Sequence, residues 1–156
     1  MRALLLGVLM VAAAGIPAQA ETLEHMKHYV VDGSFEDIRQ DVEMAITDRG
    51  MIINNVSHIG NMLARTGKDI GAARQIYVEA EALEFCSASI SRRMMEADPH
   101  NIVFCPYIIA VYTLPGEKDK VHVAFRRPLP VGNRESRAAL QAVEKLLDDI
   151  VADVVE

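Results

Sequence analysis

The sequence has 156 residues, with 16 Lys and Arg against 22 Asp and Glu, and a formal net charge of −6 at pH 7. Its length suits one domain with a genuine core, which must be built from aliphatic side chains and Met because Trp is absent. The acidic balance argues against nucleic acid as a partner, since phosphate binding needs a clustered basic surface.

The first twenty residues have the three-part layout of a secretory signal peptide. Arg2 supplies a positive charge, an apolar run follows at 3–16, and Ala-Gln-Ala at 18–20 forms a cleavage site of small residues. The apolar run is shorter than the roughly 20 residues of a membrane-spanning helix. The sequence therefore predicts a signal peptide over 1–20, export across the inner membrane to the periplasm, and one mature domain over 21–156 with no membrane span.

The first half of the mature chain is predicted to alternate strands and helices. Its elements are a strand at 27–32, a helix at 35–49, a strand at 51–59 and a short helix at 61–66. Ser34 is placed to cap the first helix, in which Phe35, Ile38 and Val42 recur with helical spacing. The short helix lies within a long connection that contains glycines.

The second half contains one ambiguous segment and four clearer ones. Residues 75–86 alternate as a strand does but also fit a helix, and we interpret them as a strand. The remaining elements are a helix at 87–97, a hairpin of strands at 107–113 and 121–125, and a final helix that begins near Asn133. Acidic residues gather late in the final helix, against its dipole, so tertiary packing must stabilise it.

Several short runs carry a resemblance to a known family. They are Gly50 after the first helix, Leu-Glu-Phe-Cys-Ser at 83–87, Met-Met-Glu-Ala-Asp-Pro at 94–99, Cys-Pro at 105–106 and Val-His-Val-Ala-Phe-Arg-Arg-Pro at 121–128. With these runs the chain resembles the domain of unknown function 302 family, in a secreted bacterial branch, over roughly residues 29–151. Many members of that family lack the two cysteines.

The resemblance implies a fold but no established reaction. The implied fold is an α+β two-layer sandwich in which a curved antiparallel sheet grips helices, similar to the TATA-binding-protein-like class. The expected order of elements is β-α-β-(α)-β-α-β-β-α. A sheet that grips helices offers space for an apolar ligand between the two layers.

Cys86 and Cys105 are the only cysteines. An even count in an oxidising compartment suggests a disulfide, which would stabilise the fold by roughly 3 kcal/mol through the loop that it closes. A bridge needs Cα atoms within about 7 Å, and the helix at 87–97 separates the two cysteines along the chain. Three interpretations remain open: a disulfide, two functional thiols, or two buried cysteines without a role.

A metal or haem site is an alternative role for the cysteines. Cys86 precedes a helix, where a lowered thiol pKa would favour thiolate chemistry or a soft metal. Met94, Met95, His100 and Cys105 would complete a copper or haem site, but no spacing typical of such sites is present. We therefore predict no cofactor.

Three side chains are candidates for ligand binding. His58 ends a predicted strand beside a glycine, and Arg126 and Arg127 lie near a sheet edge, where guanidinium groups bind anions bidentately. No catalytic residues are assigned, because the sequence contains no Gly-x-Ser-x-Gly motif and no carboxylate pair with a partner histidine.

These observations favour a periplasmic, non-catalytic binding or accessory module whose partner is a small apolar ligand or another periplasmic protein. A thiol-dependent or metal-dependent redox protein that uses Cys86 and Cys105 is the first alternative. A protein-interaction module is the second. A thiol count on protein from the periplasm distinguishes the first two hypotheses, because only the redox protein requires two free thiols.

Overall fold

The computed structural model describes residues 20–22, 24–72 and 74–155. The predicted signal peptide, apart from its last residue, lies outside the described residues. The strands are β1 (Ala20–Thr22), β2 (Met26–Asp32), β3 (Ile52–Ser57), β4 (Glu79–Cys86), β5 (Tyr107–Thr113) and β6 (Lys120–Arg126). The helices are α1 (Phe35–Thr47), α2 (Ile59–Gly67), α3 (Ala88–Ala97) and α4 (Arg134–Val155), with a 3₁₀ helix at Pro99–Phe104.

The strands form one antiparallel sheet in the order β1-β2-β6-β5-β4-β3. β2 pairs with β6 along its whole length, from Met26 opposite Arg126 to Asp32 opposite Lys120. β4 pairs with β5, with Phe85 opposite Tyr107. Two strands that are distant in the sequence, β2 and β6, are therefore neighbours in the sheet.

One face of the sheet forms the hydrophobic core with the helices. Alternate residues of β5 and β6, such as Ile109, Val111 and Val123, are fully buried in this core. α4 contributes a stripe of buried residues with helical spacing, namely Ala139, Leu140, Val143, Leu147, Ile150 and Val151. Burying a side chain of this size stabilises a fold by about 1.5 to 3 kcal/mol, so this stripe holds α4 on the sheet.

Side-chain caps fix the starts of the two main helices. The Ser34 hydroxyl accepts a hydrogen bond from the backbone N–H of Asp37, at the start of α1. The Asn133 side-chain oxygen accepts one from the Ser136 N–H at 2.7 Å, at the start of α4. Both caps lie where the sequence predicts them, and each satisfies an N–H group that the helix cannot pair internally.

Two late acidic residues of α4, Asp148 and Asp153, are paired with bases from elsewhere in the chain. The Lys27 ammonium lies 2.6 Å from Asp148 and 3.6 Å from Glu144, and Arg49 lies 2.8 Å from Asp153. Burial lowers the pKa of Lys27, but the hydrogen bond and charge of Asp148, together with Glu144, outweigh it and raise that pKa overall. These ion pairs offset the unfavourable interaction of the carboxylates with the helix dipole.

The predicted α+β class and the order of elements are confirmed, and the helices pack against an antiparallel sheet as expected. The differences lie at element ends: β3 stops at Ser57, two residues early, and β4 starts at Glu79 instead of residue 75. The alternation of residues 75–78 is misleading, because Ile76 and Val78 are 46% and 53% exposed. β1 was not predicted.

α2 packs closely against β4 through Gly60. A Cβ atom at this position would lie 2.9 Å from the backbone nitrogen of Ala80, so only glycine allows this approach. Within the described part of the chain, no helix is both long enough and apolar enough to cross a membrane.

Candidate functional site

An apolar pocket of about 390 Å³ lies at the end of the β5–β6 ladder. The pairing of these strands reaches Ile109 opposite Phe125, and Tyr107 and Ile108 lie beyond it. The pocket occupies this gap. Its wall combines Phe104, Pro106, Tyr107 and Ile108 before and within β5, Ala124, Phe125, Arg126 and Arg127 at the end of β6, and Val143 and Leu147 from α4.

Arg126 and Arg127 both line this pocket but differ in their contacts. The Arg127 Nε donates to Glu144 at 2.7 Å, and this hydrogen bond raises the pKa of Arg127 above its usual value. The Arg126 side chain is exposed and makes no hydrogen bond or ion pair with any other described residue. Arg126 is therefore the side chain that is available to an anionic ligand, while Arg127 anchors the chain to α4.

His58 does not line the pocket. It occupies the N-cap position of α2, where its Nδ1 lies 2.7 Å from the Glu81 carboxylate. Arg39 of α1 donates to the same carboxylate at 3.1 Å. The structure therefore brings two of the three predicted ligand-binding residues together and gives His58 a contact with a neighbouring strand instead.

Cys86 and Cys105 lie side by side at the ends of β4 and β5. Since Phe85 is opposite Tyr107, the following residue, Cys86, lies beside the segment that begins with Cys105. The antiparallel pairing of β4 with β5 thus brings the two cysteines close together, although α3 lies between them in the sequence. Both cysteines are free, no pair among the described residues is at disulfide distance, and the bridge stays a prediction.

The surroundings of the thiols favour their protonated form. Burial raises the pKa of Cys86 to about 11, and the interaction with the neighbouring Cys105 thiol adds to the shift. Hydrogen bonds from the Tyr107 backbone and the Ser91 hydroxyl act in the opposite direction and are smaller. Cys86 is therefore mostly a thiol at neutral pH, although it precedes a helix.

Ser91 connects the thiols to the pocket. Its hydroxyl lies 2.9 Å from the Tyr107 hydroxyl and 3.9 Å from the Cys105 sulfur. Tyr107 is itself part of the pocket wall, and burial raises the pKa of its hydroxyl to about 12. The Ser91 hydroxyl therefore contacts both the thiol pair and a residue of the pocket wall.

The metal hypothesis adds Met94, Met95 and His100 to the two cysteines, and it stays a prediction. Met94 is fully buried in the core, and its backbone carbonyl accepts a hydrogen bond from Asn101. Among the described residues, no group of three His, Cys, Asp or Glu is arranged to hold a metal ion.

The sequence analysis missed a histidine cluster on the sheet face opposite the core. His28 Nε2 and His122 Nδ1 lie 2.7 Å apart, and His122 Nε2 lies 2.8 Å from the Glu117 carboxylate. Tyr112 stacks on His122 with ring centroids 4.8 Å apart. Each histidine stands alone in the sequence, and only the pairing of β2 with β6 and of β6 with β5 brings these side chains together.

Comparisons with known proteins agree on the fold. Residues 27–154 match the family described as domain of unknown function DUF302. A crystal structure of an uncharacterized conserved DUF302 protein from Bacillus stearothermophilus is similar, with a TM-score of 0.65 and 17% sequence identity, over 81% of this chain and 97% of that one. An identity this low supports a common fold alone. No curated protein matches the chain.

Proposed function

The chain belongs to the DUF302 family, a domain of unknown function, and from this premise we propose that it is a periplasmic, non-catalytic binding module for a small apolar ligand with an anionic group. The pocket at the end of the β5–β6 ladder carries the proposal. The ligand's apolar body occupies that pocket, and its anionic group contacts Arg126.

The size and lining of the pocket support a small-molecule ligand. Its volume of about 390 Å³ is within the range of roughly 300 to 1,000 Å³ that is typical of such sites. Its walls are mainly aliphatic and aromatic, with side chains such as Phe104, Ile108 and Leu147. Transfer of an apolar group from water to these walls provides most of the binding free energy.

Arg126 supports the anionic part of the proposal. A guanidinium group without a carboxylate partner in the described chain retains its donors for a ligand. Charge-assisted hydrogen bonds to a carboxylate, sulfonate or phosphate are stronger than neutral ones and also fix the ligand's orientation. Arg127 lines the same wall, but its charge is paired with Glu144, so Arg126 is the group that contacts the anion.

The binding experiment uses 1-anilinonaphthalene-8-sulfonate, a fluorescent dye with an apolar body and one sulfonate. We expect saturable binding to the folded full chain. Arg126→Ala weakens that binding by about tenfold, because the lost contact is worth about 1.4 kcal/mol. Arg65→Ala is the matched control, since Arg65 is an exposed arginine on α2, away from the pocket.

A second variant tests the apolar part of the site. Ala110 lines the pocket, and Ala110→Phe places a large ring there. Dye binding is then lost while the far-ultraviolet circular dichroism spectrum stays the same. If neither Arg126→Ala nor Ala110→Phe changes dye binding, the pocket is not the binding site and the proposal is wrong.

The periplasmic location is supported by the signal-peptide pattern of residues 1–20. We expect mature protein recovered from the periplasm of the expressing cell to begin at Glu21. N-terminal sequencing of fractionated cells checks this expectation. An intact Met1 on protein from the cytoplasm contradicts it.

The neighbouring thiols favour a second candidate function, thiol-dependent redox chemistry. A turnover enzyme of this kind needs a thiolate at neutral pH, whereas burial raises the pKa of Cys86 to about 11. The thiol pair therefore supports a stoichiometric role better than a catalytic one. Catalytic reduction of insulin disulfides by the reduced protein would favour the redox function, and metal analysis of the same sample tests a copper site.

A further inference from the structure

The thiol pair and the apolar pocket lie on opposite sides of the start of β5. Cys105 lies two residues before the start of β5, and its sequence neighbours Phe104 and Pro106 both line the pocket. Cys86 ends β4, which is the neighbour of β5 on the side away from β6. Any movement of the Cys105 backbone therefore moves part of the pocket wall.

The thiols interact but are too far apart to be bonded. A disulfide requires the two sulfur atoms to approach to about 2.05 Å and the Cα atoms to lie within about 7 Å. Cys86 is held in the β4 ladder, where it pairs with Ile52 of β3. Cys105 precedes the first paired residue of β5, so the sheet ladder holds Cys105 less firmly than Cys86 and we expect the Cys105 segment to shift.

The sheet order sets the direction of that movement. In the order β6-β5-β4, closing the bridge draws Cys105 toward β4 and hence away from β6. Phe104 and Pro106 then move away from Arg126 and Arg127, which form the opposite wall. The gap between the ends of β5 and β6 becomes wider.

We propose that Cys86 and Cys105 form a reversible disulfide that enlarges the apolar pocket, so that the oxidised protein binds its ligand more tightly than the reduced protein does. This inference rests on the proposed function, because the pocket is the same one. The redox conditions of the compartment thereby determine how tightly the protein binds its ligand.

The oxidation is a thiol–disulfide exchange with a disulfide donor. A thiolate of the pair attacks the donor's sulfur, the donor's S–S bond breaks, and one reduced thiol leaves. The second cysteine then attacks the mixed disulfide, forms the Cys86–Cys105 bond and releases the other thiol. The two cysteines lose two protons and two electrons, and the donor gains both electrons. The raised pKa of Cys86 lowers its thiolate fraction at neutral pH and so slows attack by this thiol.

The test compares the reduced and oxidised full chain, prepared with dithiothreitol and with oxidised glutathione at mildly alkaline pH. Intact mass and alkylation with iodoacetamide establish the state, since the bridged protein loses two hydrogen atoms and takes up no label. We expect the oxidised protein to bind 1-anilinonaphthalene-8-sulfonate at least about fivefold more tightly, the lower end of typical coupling between sites.

Cys86→Ser is the control, because Cys86 does not line the pocket. Its dye affinity should equal that of the reduced wild type and should not respond to oxidised glutathione, apart from a mixed disulfide on Cys105 that mass spectrometry detects. Circular dichroism confirms that the variant is folded. A redox response that survives in Cys86→Ser overturns the proposal.

The remaining outcomes separate this inference from the proposed function. A bridge that forms without a change in dye affinity, or with weaker binding, overturns the inference and leaves the binding function intact. Failure of oxidised glutathione to form the bridge overturns the inference alone. Absence of dye binding in both states overturns both.

Discussion

Asn101 and Ser136 hydrogen-bond to each other in both directions inside the core, with Nδ2 donating to Oγ at 2.8 Å and Oγ donating to Oδ1 at 3.1 Å. Asn101 also donates to the backbone carbonyl of Met94 at 2.9 Å. Asn101 is 4% exposed and Ser136 is fully buried. This pair therefore fixes the 3₁₀ helix to both α3 and α4.

Ser136→Ala should destabilise the protein. The substitution leaves the Asn101 carbonyl oxygen buried without its donor, which costs about 1 to 3 kcal/mol. Urea unfolding followed by circular dichroism measures the change. Ser89→Ala, at an exposed position of α3, is the control and should change stability by less than about 0.5 kcal/mol. Equal stability of the two variants would contradict the role of the buried pair.

Lys27→Met should reduce stability by about 1 kcal/mol, because the Lys27 ammonium contacts both Asp148 and Glu144 in a partly buried position. Lys145→Met removes an exposed pair with Asp149 within α4 and should cost less than about 0.5 kcal/mol. Urea unfolding at low and high salt compares the two variants. A larger loss in Lys145→Met would show that the cross-element contact with β2 is unimportant.

Alkylation should show that the folded state protects Cys86. Its pKa rises from 9.0 to about 11 on folding, which lowers the thiolate fraction at pH 8 about a hundredfold. A thiolate with a higher pKa is the better nucleophile, and this offsets part of the loss. The alkylation of Cys86 at pH 8 should therefore be about tenfold slower in the folded protein. The raised pKa stabilises the fold below pH 9, and that contribution disappears as the pH rises toward 11. Peptide mass spectrometry after timed iodoacetamide treatment, with and without urea, measures the rates.

Cys105→Ser provides the matching comparison for Cys86. It removes the interaction with a neighbouring thiol but leaves burial, the largest cause of the shift. Alkylation of Cys86 in the folded variant should become faster than in the wild type and stay slower than in urea. Identical rates with and without urea would contradict the raised pKa.

The histidine cluster should fix one tautomer of His122. The Glu117 carboxylate is only an acceptor when ionised, so His122 Nε2 donates to it; in the neutral imidazole of His122, Nδ1 is then the acceptor and His28 Nε2 the donor. Nitrogen-15 NMR at neutral pH should show a protonated Nε2 and an unprotonated Nδ1 on His122. Glu117→Ala removes the acceptor and should produce a mixture of tautomers; an unchanged spectrum would contradict the assigned chain of hydrogen bonds.

The elements could be predicted because their signals are local. The run of Ile, Val and Tyr at 107–113 gives the bounds of β5 correctly, and the cap at Ser34 gives the start of α1. The prediction of a strand at residues 75–78 was wrong. Their apolar and polar side chains alternate as in a strand, but the apolar ones, Ile76 and Val78, remain exposed. Alternation reports a pattern of side chains, whereas burial depends on what packs against them.

The sites were harder to predict because they depend on strand order. Arg126 was found because it ends a strand, but the pocket beside it combines β5, β6 and α4. The proximity of Cys86 to Cys105 follows from the β4–β5 pairing, and that of His28 to His122 follows from the β2–β6 pairing. Chain separation alone could indicate neither contact, since α3 lies between the cysteines and most of the domain lies between the histidines.

The place of β2 beside β6 also governs how the domain can assemble. The β2–β6 ladder can be completed only after the ribosome has synthesised β6, which ends at Arg126. An incomplete nascent chain therefore exposes an unpaired strand edge. A cut between β3 and β4 would likewise yield two fragments, neither of which holds a complete sheet.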